Sequence, residues 1–242
     1  MSLPRIYQIL PEHAQNIELS PQAGFHIATV LRLQVGDPVI LFNGQGIEYQ
    51  ATIETIRKKH VRVQILSQHA TLNNPPLHIH LFQGISKGDR MDWVVQKAVE
   101  LGVSEITPLW TEQCAIHFSE ERVEKKVQHW REIIIAACEQ CGQNHLPRLN
   151  APCHFKDILS GEDAFKLIAH PKASINLKTY PPQSALLYLA IGPEGGFSER
   201  EIEAACQENW HPFHLGHHIL RTETAAIASL GAIQALWGVD PV

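Results

Sequence analysis

An α/β domain with a largely parallel sheet, preceded by a small β-rich domain, is the architecture that this sequence of 242 residues predicts. Three observations carry the prediction. From residue 77 onward, strand-length apolar runs alternate with helix-length amphipathic patterns, the signature of an α/β layer fold. Before residue 70 the apolar residues instead recur with period two, as in Tyr49, Ala51 and Ile53 and again in Val61, Val63 and Ile65. Between the two regimes, TLNNPP at 71–76 sets paired Asn beside paired Pro, which continues neither a strand interior nor a helix. A boundary there gives domains of 1–72 and 73–242.

In the first domain RIYQIL (5–10) and VILF (39–42) read as short strands, and NGQG (43–46) carries the Asn-Gly pair of a hairpin turn. EYQATIETI (48–56) and VRVQIL (61–66) follow, separated by RKKH at 57–60. The sum is a small antiparallel barrel or sheet, with only 23–33 competing as a helix. The turn holding Arg57, Lys58, Lys59 and His60, with Arg62 beyond it, is either a phosphate contact or a charge run that keeps a hairpin tip wet.

The second domain opens with a strand, LHIHLF (77–82), then a helix, DRMDWVVQKAVEL (89–101), stopped by Gly102, then the strand EITPLW (105–110). Ser119 is placed to cap a long helix. Glu120 and Glu121 suit its positive end, and Val123, Val127, Trp130, Ile134 and Cys138 form its apolar stripe, up to an end near Gly142. A shorter element around HFKDIL (154–159) leads to the strand FKLIA (165–169), which runs into His170-Pro171. The polar loop SINLKTYPPQS (174–184) then precedes the strand LLYLAI (186–191). Ser198 with Glu201 is a capping box for the next helix. The last helix, from Ala225 to about Trp237, is apolar and rich in small residues on nearly every face, so the core or a partner subunit must cover it.

Composition narrows the function classes. At 44% hydrophobic the chain can bury a sizeable core, yet its apolar runs fall short of a membrane span and its N-terminus lacks the pattern of a signal peptide, so a cytoplasmic chain is expected. Five scattered cysteines argue for reduced thiols. A net charge of -5 excludes an indiscriminate nucleic-acid coat. The balance is +1 through Leu72 and -6 beyond it, so a nucleic-acid contact would start in the first domain.

The chemistry is expected where two apolar strands empty into loops, since ligands of open α/β sheets sit outside the strands' carboxyl ends. The first loop, GPEGG at 192–196, lets backbone groups approach a ligand closely. No Lys-Ser or Lys-Thr follows it as in a P-loop, and the chain holds no G-x-G-x-x-G. The second, in HLGHHILRTETAAIASL (214–230), carries Arg221 and Glu223, one able to neutralise a developing oxyanion and the other to take a proton. The competing reading is a buried ion pair that holds the loop, with Thr222 or Thr224 as the helix cap. Cys138 and Cys141 form a C-x-x-C at the end of a helix pattern with no strand feeding it. His217 and His218 are adjacent, too close to share a metal easily, and no metal site is expected from either.

These residues resemble one family closely: the RsmE family of 16S rRNA uracil N3-methyltransferases, in the SPOUT superfamily. The matching stretches are PRIY (4–7), VLRLQVGD (30–37), LFNG (41–44), SKGDRMDWVVQKAVELGVSEITPL (86–109), AACEQCG (136–142), His170-Pro171, IGPEGG (191–196) and HHILRTETAA (217–226). The resemblance implies a PUA-like β-barrel that helps bind RNA, followed by a SPOUT domain whose C-terminal segment threads into a deep trefoil knot and which acts as a homodimer. It implies S-adenosylmethionine as cofactor and 16S rRNA, within the small ribosomal subunit, as partner. The cofactor contacts it carries over are His170, Pro171, Gly192, Pro193, Glu194, Gly195, Gly196, Leu215, Gly216, Ile219, Leu220, Arg221, Thr224 and Ala225. Arg221 and Glu223 become the catalytic pair, and Arg5, Arg32, Lys87 and Arg90 the RNA contacts. Two departures stand out: Gln113-Cys114 where the family usually has Arg-Ser or Arg-Cys, and Gln143 where it usually has Arg after QCG. Each removes a cation that would face RNA.

Overall fold

A computed structural model describes residues 3–11, 14–58, 60–70, 77–116, 118–160, 163–180 and 184–238. The linker expected at 71–76, and Lys59 of the basic turn, lie outside the described residues. The chain forms two compact units, one of Met1–Asn74 with Ile135–Leu146, the other of Pro75–Ile134 with Pro147–Val242.

In the first unit β1 (Arg5–Tyr7), β2 (Asn16–Glu18), β3 (Pro38–Phe42), β4 (Ile47–Arg57) and β5 (His60–Ala70) form one sheet in the order β1-β3-β4-β5-β2. Its pairings are antiparallel except β1 with β3, which run parallel. The period-two residues Ala51, Ile53, Val61 and Val63 are buried together with Ile6, Ile27, Val39 and Leu41. The turn at 43–46 is held by Asn43, whose Oδ1 accepts from the Gln45 and Ile47 amides at 2.8 and 3.2 Å, the way a short polar side chain fixes a turn. The segment that competed as a helix is one: α1 (Pro21–Phe25), capped by Ser20, continues as a π-helical turn over His26–Leu31 and stops at Arg32 in the left-handed region, φ 55°. At the basic turn the His60 ring meets the Glu18 carboxylate at 2.6 Å.

The second unit alternates strands and helices as expected. Its strands are β6 (His78–Gly84), β7 (Glu105–Trp110), β8 (Arg148–Leu149), β9 (Cys153–His154), β10 (Phe165–Ala169), β11 (Leu186–Ile191) and β12 (Trp210–Phe213), and all their pairings are parallel. The order is β12-β10-β11-β6-β7-β8, with β9 also on β7. β10 and β11 are short continuous apolar runs because both faces of a parallel sheet are covered. The helices are α2 (Arg90–Glu100), α3 (Glu120–Cys141), which belongs to the first unit from Ile135 onward, α4 (Glu199–Gln207) and α5 (Thr222–Trp237). α4 packs on β12, and α5 on α2 and β11. Within α3, Trp130, Ile134 and Cys138 are buried as the apolar stripe requires, whereas Val123 and Val127 are only half-buried. Cys138 is a core residue: burial, reinforced by Cys141 and Glu139, pushes its thiol up to about 12, which keeps it protonated and unreactive.

The capping box of α4 forms, with the Ser198 Oγ accepting from the Glu201 amide at 3.1 Å and the Glu201 carboxylate from the Ser198 amide at 2.8 Å. The other oxygen of Glu201, a buried residue, accepts from the Glu112 amide at 2.9 Å, tying the loop after β7 to the helix start. Glu201→Ala strands both amides and should cost about 2 kcal/mol. A thermal melt would then fall by about 4–8 °C, and Glu201→Gln should recover most of the difference.

Candidate active site at the strand ends

Three loops leave the carboxyl ends of β10, β11 and β12 and enclose a cavity of about 720 Å3. That is the size and the place at which α/β sheets hold small molecules. The first loop brings His170 and Pro171, the second Gly192, Pro193, Glu194, Gly195 and Gly196, and the third Leu215, Gly216, Ile219, Leu220, Arg221, Glu223 and Ala225. Of the residues expected at the cofactor, only Thr224 does not line the cavity; it is exposed.

The second loop is built by close backbone approach. A Cβ on Gly84, the last residue of β6, would lie 2.3 Å from the Pro193 nitrogen, so the loop seats on the end of that strand only because residue 84 is glycine. A Cβ on Gly195 would likewise come within 2.9 Å of the Gln113 Cβ, which places one of the two sequence departures directly behind this loop. The Pro193 carbonyl accepts from the Gly196 amide at 2.9 Å and closes the turn. Glu194 then anchors it: its Oε1 accepts from the Lys87 amide at 2.8 Å and from Arg90 Nη1 at 2.5 Å. Partial burial pushes this carboxyl up, but those donors and the Arg90 charge more than offset it and hold it below the usual carboxylate range.

Across the cavity, burial lowers the His170 imidazole from its ordinary value against the pull of Glu199, which favours a neutral ring. Glu199 itself pairs with Lys172 at 2.5 Å on the surface. Helix α5 starts at Thr222, three residues before the expected Ala225, because Arg221 is its N-cap residue, without a side-chain cap bond. Neither Thr222 nor Thr224 is the cap. The Thr222 hydroxyl is instead buried, donating to the Gly192 carbonyl at 2.6 Å and accepting from Gln83 Nε2 at 2.9 Å. Arg221 is exposed at the rim and forms no ion pair among the described residues. Glu223 keeps its Oε2 buried with no hydrogen-bond partner, and Arg90 Nε lies 3.8 Å from it. The competing reading of Arg221 and Glu223 as a buried ion pair fails, since the pair does not form. An unmet acceptor in a cavity costs stability by itself, and it is what a site for an acidic N–H or O–H group would keep ready.

The RNA methyltransferase domain family matches residues 73–234, and the RNA methyltransferase PUA domain family matches 19–66. Over 98% of this chain and 97% of its relative, the sequence is 36% identical to ribosomal RNA small subunit methyltransferase E of Buchnera aphidicola. The chain belongs to the ribosomal RNA small subunit methyltransferase E family. The Bacillus subtilis member is 27% identical over 92% of this chain and 91% of that one. Among solved structures of similar proteins, the Neisseria gonorrhoeae methyltransferase E bound to S-adenosylmethionine is 36% identical, covers 98% of this chain and 99% of its own, and superposes with a TM-score of 0.89. A Legionella pneumophila protein solved with bound S-adenosylmethionine is 44% identical, with a TM-score of 0.95 over 99% of this chain and 100% of that one. The α/β fold with a PUA domain and a methyltransferase domain is thus the family's.

The four cations that the family resemblance assigned to RNA are in different circumstances. Arg32 is exposed, as is Lys87, whose amide alone is engaged. Arg90 lines the cavity and is paired with Glu194. Arg5 is only 14% exposed: its guanidinium pairs with Glu48 at 3.2 Å, donates to the Asn144 side chain and lies over the Phe42 ring. Against the opposing effect of burial, Asn144, then Arg5, hold the Glu48 carboxyl below its ordinary 4.5. A depressed folded-state value means that this stabilisation is complete above the unfolded value and is lost as pH falls through the folded one. Arg5→Ala should therefore cost about 2 kcal/mol in denaturant unfolding, less under acid conditions, and leave the salt dependence of RNA affinity unchanged. A slope smaller by about one would return Arg5 to the phosphate contacts.

Gln83 and Ser229 escaped the sequence reading as site residues, and Thr222 entered it as a residue of the second loop and a candidate helix cap. All three are buried, and Thr222 and Ser229 line the cavity, the Ser229 hydroxyl with no hydrogen-bond partner. A glutamine at the end of a buried strand and a serine in an apolar helix were the only signals for Gln83 and Ser229.

Proposed function

We propose that this chain transfers a methyl group from S-adenosylmethionine to N3 of a uridine in 16S rRNA of the small ribosomal subunit. Glu223, which lines the strand-end cavity and has a buried oxygen without a hydrogen-bond partner, carries the reading together with Arg221 at the rim. The cavity fits such a cofactor in volume, in its wall of glycine backbone and in its spare polar atoms on Glu223 and Ser229. His170, Pro171, Gly192 to Gly196, Leu215, Gly216, Ile219, Leu220, Arg221 and Ala225 would hold it, with Thr224 at the margin. When bound, S-adenosylmethionine supplies a sulfonium-activated methyl group.

Uracil N3 bears a weakly acidic proton, and only its loss frees the lone pair that must form the new N–C bond. Glu223 Oε2 accepts that proton. Negative charge then spreads to the two carbonyl oxygens flanking N3, where the Arg221 guanidinium stabilises it. Arg90, between Glu194 and Glu223, keeps the carboxylate anchored beside the glycine loop. N3 lies on the Watson–Crick edge, so the target must be unpaired or flipped out.

The same reading assigns residues 1–72 to a PUA-like RNA-binding barrel and 73–242 to a methyltransferase domain whose C-terminal segment forms a trefoil knot. Arg32 of the first unit, and Lys87 and Arg90 of the second, are its cations for RNA. A homodimer is supported by large apolar side chains left open on two helices that pack together, Trp93 of α2 at 61% exposed and Leu236 of α5 at 50%. No described helix is long and apolar enough to cross a membrane, in keeping with work in the cytoplasm.

The test is methyl transfer from labelled S-adenosylmethionine to small subunits from a strain lacking the gene, with free 16S rRNA and tRNA in parallel and nucleoside mass spectrometry afterwards. 3-Methyluridine in the subunit sample alone is the expected result. Label in tRNA, or in another nucleoside, would overturn the substrate. Cofactor binding without transfer to any RNA would leave an assembly factor that binds RNA.

A further inference from the structure

We infer that Gln83 and Thr222 are positioning residues for the transfer, joined in a buried relay that sets the first turn of α5, and with it Arg221 and Glu223, against the glycine loop. The inference rests on the proposed methyl transfer. Gln83 is completely buried, one residue before the end of β6, and its register partner is Ile191, the residue before Gly192. Its Nε2 donates to the Thr222 hydroxyl at 2.9 Å and to the Gly84 carbonyl at 3.1 Å, and that hydroxyl donates onward to the Gly192 carbonyl at 2.6 Å. One side-chain oxygen thereby connects the central strand, the loop of one cavity wall and the helix start of the other.

Stability alone does not account for this arrangement. The Gln83 Oε1 is buried with no hydrogen-bond partner, so the glutamine is only half satisfied where an apolar side chain would leave nothing unmet. Helix α5 also forgoes the usual cap: its N-cap residue is Arg221, which makes no capping bond. What fixes the helix start is the Thr222 hydroxyl, and the two residues it lies between are the proposed catalytic pair. The glycine loop has further ties, through Glu194 to Lys87 and Arg90 and through Pro193 on Gly84, whereas among the described residues the side chains of the first turn of α5 add to the relay the single ion pair of Glu223 with Arg90 at 3.8 Å. Loss of the relay should therefore misplace Arg221 and Glu223 more than the loop.

Thr222→Val, which removes the hydroxyl at constant shape, should lower kcat by about ten- to a hundredfold, the effect of displacing reacting groups by about 1 Å. Calorimetric affinity for S-adenosylhomocysteine should stay within about threefold, and Thr222→Ser should restore kcat to within about threefold of wild type. Because Gln83 acts through Thr222, adding Gln83→Leu to Thr222→Val should change kcat by less than about twofold, although alone it is harmful. Affinity falling in step with kcat, no rescue by serine, or multiplying effects in the double variant would each overturn the relay. If wild-type protein methylates no RNA, the proposed function fails while the relay is still testable by hydrogen exchange. Thr222→Val must then speed exchange at the Ala225 and Ala226 amides and Thr222→Ser must not; equal exchange in all three proteins would overturn it.

Discussion

Glu223→Gln should lower kcat for 3-methyluridine formation by about 10²- to 10⁴-fold, the range spanned by a positioned general base, and leave S-adenosylmethionine affinity within about threefold. The substitution keeps size and shape but replaces an acceptor-only carboxylate with an amide that cannot take a proton. Glu223 is placed for that role because it lines the cavity and its Oε2 has no hydrogen-bond partner. Arg90 Nε, 3.8 Å away, supplies charge compensation without occupying the oxygen. That oxygen is not committed to another hydrogen-bond donor. Measurements on subunits from a strain lacking the gene, with calorimetry on the same variant, separate the two effects. Full turnover in Glu223→Gln would remove the carboxylate from the proton path, and a parallel loss of cofactor affinity would make it a binding residue.

The fold was largely legible because its strands are short apolar runs bounded by polar or glycine residues. LLYLAI, FKLIA and EITPLW lie in the structure as β11, β10 and β7 with the expected bounds. The cavity was legible for the same reason, since a glycine loop after a buried strand marks a strand end. What escaped depends on contacts between residues distant in sequence. Arg5 looks like a surface cation, but its burial is decided by Glu48 and Asn144, far along the chain. The start of α5 was set too late because the residue before it, Arg221, is not a capping type. Its first turn is fixed from outside, by Gln83 and Gly192, and no local rule contains those partners. Gln83 itself sits in HIHLFQG, where its polar type says nothing of what it meets.

Arg221→Ala is expected to lower kcat by about 10²- to 10³-fold, the usual effect of removing one oxyanion-stabilising donor, while cofactor affinity changes by less than about threefold. The argument begins from the side chain's freedom. Arg221 is exposed, makes no ion pair among the described residues and lines the same cavity as Glu223, so its charge is not consumed in holding the fold. Deprotonated uracil carries its negative charge on the two carbonyl oxygens beside N3, a planar pattern that a guanidinium fork can meet with two donors. Lysine offers the charge but not the fork, so Arg221→Lys should recover part of the loss and stay below wild type. Turnover as a function of S-adenosylmethionine and of subunit concentration resolves the outcome. Equal losses in kcat and in cofactor affinity would remove the catalytic role and leave Arg221 a cofactor contact alone, and a loss confined to KM for the subunit would make it an RNA contact.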